Sequence, residues 1–203
     1  MTHPGTIFTC NGIRTNGEDS IDRLIPPLVA AGHRVVDLAY EKVSALIGWS
    51  RRKQLAIAYS LRDQIEAYPA PRHIAAHSFG CIMARRLMQE NVYFDAAYLF
   101  GAADDDDTYY PREQVKRIYL FYNPHDGAIR LGSLLFRHDF GPLGRIGYNG
   151  PDDARVEQVK WEFMHGFWSH NHNWFAGPMA LRWAKYIDTD IRNAESSEGS
   201  ESA

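Results

Sequence analysis

The stretch Arg72-His73-Ile74-Ala75-Ala76-His77-Ser78-Phe79-Gly80-Cys81 decides the fold of this chain. An apolar run ends in small residues, a serine follows, and a helical pattern begins directly after it. Its centre, Ala76-His77-Ser78-Phe79-Gly80, has the form small-x-Ser-x-Gly. A serine that points its oxygen out of a sharp strand-to-helix turn has a strained backbone. The residues two positions away on either side must then be small, or their side chains collide across the turn. Ala76 and Gly80 meet that demand. The plainer alternative for Ser78 is a serine that caps a helix.

Upstream, Thr6 to Cys10 is a β-prone run that stops at the turn Asn11-Gly12. Asp19-Ser20 offers a cap for a helix in which Ile21, Leu24, Ile25, Leu28 and Val29 recur at helical spacing. Pro26-Pro27 interrupts it, so a break is expected, with the helix resuming at the prolines and ending at Gly32. Arg34 to Ala39 reads as a second strand, and Tyr40 to Trp49 as a loop near the mouth of a site. Ser50 opens a long helix from Arg51 to about Tyr68, with Arg51-Arg52-Lys53 as its solvated start.

Downstream of the serine, a helix runs to about Gln89 and a strand covers Asp95 to Gly101. Asp104 to Asp107 follows at once. Four adjacent carboxylates repel one another and prefer water. Arg117 to Tyr122 is a further strand and ends in Asn123-Pro124-His125-Asp126-Gly127. Leu131 to Phe136 reads as a short helix. Gly141, Gly144, Gly147 and Gly150, with Pro142 and Pro151, predict an irregular excursion, and residues 130 to 155 are the best lid candidate. Val156 to Phe163 is the last strand. A loop rich in His and Trp follows from Met164 to Trp174, then a closing helix from Pro178. The Ser, Glu, Gly and Ala of residues 195–203 predict a disordered tail, which leaves residues 1–194 as a single domain. Alternating strands and helices predict an α/β protein with a mostly parallel, twisted sheet covered on both faces.

Composition narrows the function classes. At 203 residues, 45% hydrophobic and 23% charged, the chain has ordinary soluble globular composition and enough length for one sizeable core. A net charge of −3 gives no reason to expect a nucleic-acid partner. No run approaches a membrane span and no signal peptide is visible, so the expected location is cytoplasmic. Cys10 and Cys81 fall in apolar settings and read as buried free thiols.

Four polar clusters lie where strands end: Asn11-Gly12-Ile13, Ser78, Asp126, and the histidines of Ser169-His170-Asn171-His172. In an open parallel sheet, sites form beyond the carboxyl ends of the strands. The small-x-Ser-x-Gly turn and the order Ser, Asp, His resemble the α/β-hydrolase superfamily, in compact form, over roughly residues 6 to 192. The resemblance implies a serine hydrolase of the carboxylesterase, lipase or thioesterase kind, with Ser78 as nucleophile at a nucleophile elbow. It implies Asp126 as the acid that orients the base, with the Asp104 to Asp107 cluster as its rival. His170 is the preferred base, and His172 is the alternative. The implied oxyanion donors are the backbone N–H groups of Ile13 and Phe79. Such a triad needs no cofactor, and the implied partner is a small-molecule or lipid-like acyl substrate. His77 reads as a neighbour of the site and His165 as structural.

Two other readings stay open at this level. His170-x-His172 is a two-histidine pair that could bind a metal for hydrolysis. The chain could also be a binding protein that kept the fold without the activity.

Overall fold

The computed structural model describes residues 5–12, 21–38, 40, 50–135, 140–161 and 179–201. Among the described residues six strands form one sheet: β1 (Thr6–Cys10), β2 (Arg34–Asp37), β3 (Arg72–His77), β4 (Phe94–Phe100), β5 (Val115–Tyr122) and β6 (Val156–Lys160). Their spatial order is β2-β1-β3-β4-β5-β6, and every neighbouring pair is parallel. All carboxyl ends therefore lie on one edge of the sheet. The order reverses direction between β1 and β3, so the turn after β1 and the turn after β3 are spatial neighbours.

The central strands explain why the sheet is parallel. β1 is buried throughout, and β3 and β4 nearly so, as expected of strands covered on both faces. Alternate residues face opposite layers. Phe8, Ile74, Ala76, Ala97, Leu99, Ile118 and Leu120 pack under the helices α2 (Arg51–Glu66) and α3 (Phe79–Gln89). Ile7, Ala75, Tyr98, Phe100, Tyr119 and Phe121 pack on the other face, under α1 (Ile25–Ala30) and the last helix. The outer strands of the described sheet, β2 and β6, carry charged or polar residues at their most exposed positions, which discourages pairing with other chains.

The break expected at Pro26-Pro27 takes a specific form. A 3-10 helix covers Ile21–Leu24, and α1 then starts at Ile25 with proline in its first turn, where a missing N–H costs nothing. After β5 come α4 (Gly127–Leu135) and a single turn, α5 (Leu143–Ile146). The chain closes with α6 (Ala180–Glu201). No helix among the described residues is long and apolar enough to cross a membrane.

Two expectations are corrected here. Residues 195–201 continue α6, although their composition predicts disorder. Ser196 and Ser197 donate their hydroxyls to the carbonyls of Arg192 and Asn193, each at 2.8 Å, so the helix itself satisfies these side chains. The glycine-rich stretch 141–144 is not free to serve as a lid. The amides of Gly141, Leu143 and Gly144 donate to the carbonyls of Ala103, Asp104 and Ala102. A Cβ on Gly144 would stand 2.4 Å from the Gly101 carbonyl carbon. These glycines allow two backbones to pack in direct contact.

Candidate active site

Ser78 is the residue between β3 and α3, and its backbone is unusual. It has φ 56° and ψ −119°, a region that side-chain-bearing residues rarely occupy. The surroundings hold it there. Its N–H donates to the Phe100 carbonyl at 3.0 Å, and its own carbonyl accepts from Cys81 at 3.0 Å and from Ala103 at 3.4 Å. It is the only residue from His73 to Ala84 that is not buried. Although it occupies the N-cap position of α3, its hydroxyl makes no capping hydrogen bond. The helix-capping alternative therefore fails, and strain of on the order of 1–3 kcal/mol is left without a local structural gain.

The small residues flanking the serine are required by contact. A Cβ on Gly80 would lie 2.2 Å from the Cys10 carbonyl oxygen and 2.7 Å from that of Asn11. Gly80 thus lets α3 press against the end of β1. Gly12 has the matching role on the other side. A Cβ there would meet the Ser78 Cβ at 3.0 Å and its Oγ at 3.5 Å. The Asn11-Gly12 turn and the serine are therefore in direct contact.

That turn has its own supports. Asn11 Nδ2 donates to Asp22 Oδ1 at 2.6 Å, and the Tyr40 hydroxyl donates to the Asn11 carbonyl. The Tyr40 ring leans on Phe79, with centroids 6.4 Å apart. The Thr9 hydroxyl donates to Asp37 at 3.1 Å. Burial raises the Asp37 pKa, the Asp22 carboxylate adds to the rise, and the Thr9 bond opposes it. Sequence reasoning located the Tyr40 loop near a site but did not single out Tyr40 or Asp22. Both act across the fold, Tyr40 from 29 residues beyond Asn11.

Phe79 opens α3, so its N–H belongs to the first turn, where helices have no internal acceptor. Its side chain is fully buried. Ile13, the other expected oxyanion donor, lies outside the described residues, as do His170, His172 and His165. The metal reading of the His170/His172 pair falls outside with them. His77 is buried at the end of β3.

Asp126 is buried at the carboxyl end of β5, 1% exposed. It caps α4: its Oδ1 accepts the Ile129 N–H at 2.9 Å, and its own N–H donates to the Asn123 carbonyl at 2.9 Å. The capping bond fixes the direction of the carboxylate. The rival cluster is not the uniformly solvated run that its charge predicts. Asp105 and Asp107 are exposed, but Asp104 is 1% exposed and bonds Arg85 Nε at 2.8 Å. The reason is α3: Arg85 lies on it and reaches the loop after β4. Arg85 engages only one oxygen of this carboxylate; among the described residues the buried Oδ2 has no hydrogen-bond partner.

Cys10 and Cys81 are free and buried, and burial pushes both thiol pKa values up. Both stay protonated, so neither is a competing nucleophile.

No protein-family model matches the sequence, and comparison with curated proteins finds no significant match. Solved structures do match in fold. A protein of Xanthomonas campestris pv. campestris, described only as a hydrolase of the alpha/beta superfamily, superposes with a TM-score of 0.57 over 95% of this chain and 99% of its own, at 11% identity. An esterase of Pyrococcus furiosus gives 0.55 over 95% and 84%, at 12% identity. The esterase domain of a Rhodothermus marinus protein gives 0.54 over 92% and 87%, at 13% identity. The chain has the α/β-hydrolase fold. It is a compact example, with six parallel strands and the serine turn after the third.

Proposed function

We propose that the protein is a serine hydrolase that cleaves a carboxylic ester or thioester through an acyl-enzyme. The observation that carries this reading is Ser78: strained, half-exposed, uncommitted to the helix it precedes, and in contact with the turn after β1. Strain that persists without structural return is a mark of functional sites. Two of the structural neighbours are described as esterases, which agrees with the reading.

In this mechanism Ser78 Oγ attacks the acyl carbon while His170, or His172 in its place, takes the hydroxyl proton. Asp126 orients the imidazole and stabilises its charged form. The oxyanion is stabilised by the backbone N–H groups of Phe79 and Ile13, at about 3 kcal/mol per donor. The histidine then gives the proton to the departing alkoxide or thiolate. Water attacks the acyl-enzyme with the same histidine as base, releasing the carboxylic acid and restoring Ser78.

The test is labelling with a fluorophosphonate probe, with the modified peptide located by mass spectrometry. Label on Ser78, absent in Ser78→Ala, with ester turnover lower by at least about a thousandfold, is expected. Active protein that carries no label on Ser78, or that loses turnover to a chelator, would falsify the serine mechanism. Comparing His170→Ala with His172→Ala assigns the base.

A further inference from the structure

We propose that Tyr40, Asn11 and Asp22 form a positioning network that holds the turn after β1 in the shape required for oxyanion stabilisation at Ser78. The inference rests on the serine-hydrolase reading above and extends it to residues that do not touch the reacting atoms.

The starting point is a conflict at position 12. A side chain there would press on Ser78, since its Cβ would lie 3.0 Å from the Ser78 Cβ and 3.5 Å from its Oγ. Such a side chain would crowd Ser78 more tightly than ordinary packing, and glycine avoids this. Glycine is also the residue with the greatest backbone freedom. The turn beside the nucleophile thus contains the residue least able to fix its own conformation. The restraint has to come from outside the turn.

Two contacts supply it. The Tyr40 hydroxyl donates to the Asn11 carbonyl, which fixes the plane of the peptide joining Asn11 to Gly12. Asn11 Nδ2 donates to Asp22 Oδ1 at 2.6 Å, which anchors the turn to the 3-10 helix. Tyr40 is itself held by its ring contact with Phe79, the residue that follows the nucleophile. Burial raises the Tyr40 pKa, and Cys10, Cys81 and Asp37 add to the rise. The phenol therefore keeps its proton and remains a donor throughout the working pH range. One residue contacts both sides of the expected oxyanion region: the Asn11–Gly12 peptide, one residue ahead of the Ile13 amide in sequence, and the first residue of α3. Preorganised donors stabilise a transition state because they need no reorganisation when charge develops.

Tyr40→Phe removes the donor and keeps the ring against Phe79. In the full chain, fluorophosphonate labelling of Ser78 should slow about tenfold, and kcat on p-nitrophenyl butyrate should fall about tenfold with KM within about twofold. The fraction of titratable serine should not change. Tyr98→Phe, which removes a hydroxyl bonded to Asp190 elsewhere in the fold, is the control and should leave both rates unchanged. Asp22→Ala carries the same test with a smaller effect, should Tyr40→Phe prove insoluble. An unchanged labelling rate, or a loss confined to the titratable fraction, overturns the inference. Absence of label in the wild-type chain overturns instead the reading on which it rests, so the two failures are distinguishable.

Discussion

Two polar regions of this sheet differ in kind. At the carboxyl ends of the strands, Ser78 sits in a strained backbone with its hydroxyl unused in capping, among backbone groups packed at contact distance. Lower on the sheet, beneath α6, Asp190 is saturated. Its carboxylate accepts from Tyr98 at 2.6 Å, from Tyr119 at 2.5 Å and from Arg117 at 2.7 Å. His33 and Arg192 meet Asp188 nearby on the same helix. The second region relieves its charges and ties α6 to the sheet. The first stores strain and leaves a reactive group half-exposed. A dense polar cluster is thus not by itself a site. What separates the two regions is whether the local structure uses up the chemistry it contains.

Substitutions can break that contrast from either side. The largest effect on stability is expected from Gly80→Ala. Its Cβ would fall 2.2 Å from the backbone oxygen of Cys10, which no rotamer change can relieve. A loss of about 3–5 kcal/mol is expected in chemical denaturation, with labelling of Ser78 lost alongside. Next comes acid. His73 is buried on β3, and neither ring nitrogen has a hydrogen-bond partner among the described residues. Burial lowers its pKa to about 4; Arg117 and His33 reinforce the shift, and Asp95 and Asp190 oppose it. The unfolded chain takes up this proton below about pH 6.5, whereas the folded chain does so only near 4. Stability from this group is therefore full above about pH 6.5 and falls as the pH drops towards 4, by about 3 kcal/mol in all. His73→Phe should flatten that part of the stability profile and raise stability at pH 5.

Asp190→Asn should cost about 2 kcal/mol, because the amide sets an N–H against a donor and leaves Arg117 without its anion. The Ser78 labelling rate should stay as it was. A fall in that rate at full occupancy would show that the two regions are coupled. The smallest effect is Ser78→Gly. Glycine accepts φ 56° freely, so stability should rise by about 1 kcal/mol while activity disappears. No gain in melting temperature would mean that the serine conformation carries no strain.

The legible parts of the site were the local ones. Small-x-Ser-x-Gly is a demand made within five residues, and the backbone of Ser78 meets it. The corrections arose over longer distances. Asp104 read as part of a solvated run because its partner Arg85 is 19 residues away. Residues 141–144 read as a free excursion because the loop they bond lies about 40 residues upstream. Asp126 was placed by its strand end, but its capping bond to Ile129 becomes evident only once α4 starts at Gly127.

By itself the sequence determined the parallel α/β sheet, the serine turn and the buried thiols. Each follows from short-range periodicity, turn sterics or composition, which act between near neighbours in the chain. Only the tertiary structure decided which carboxylate is occupied by a guanidinium, which glycines separate two backbones, and that Tyr40 and Asp22 hold the turn beside Ser78. Those outcomes depend on the parallel strand order, which sets the ends of β1 and β3 side by side although more than sixty residues separate them.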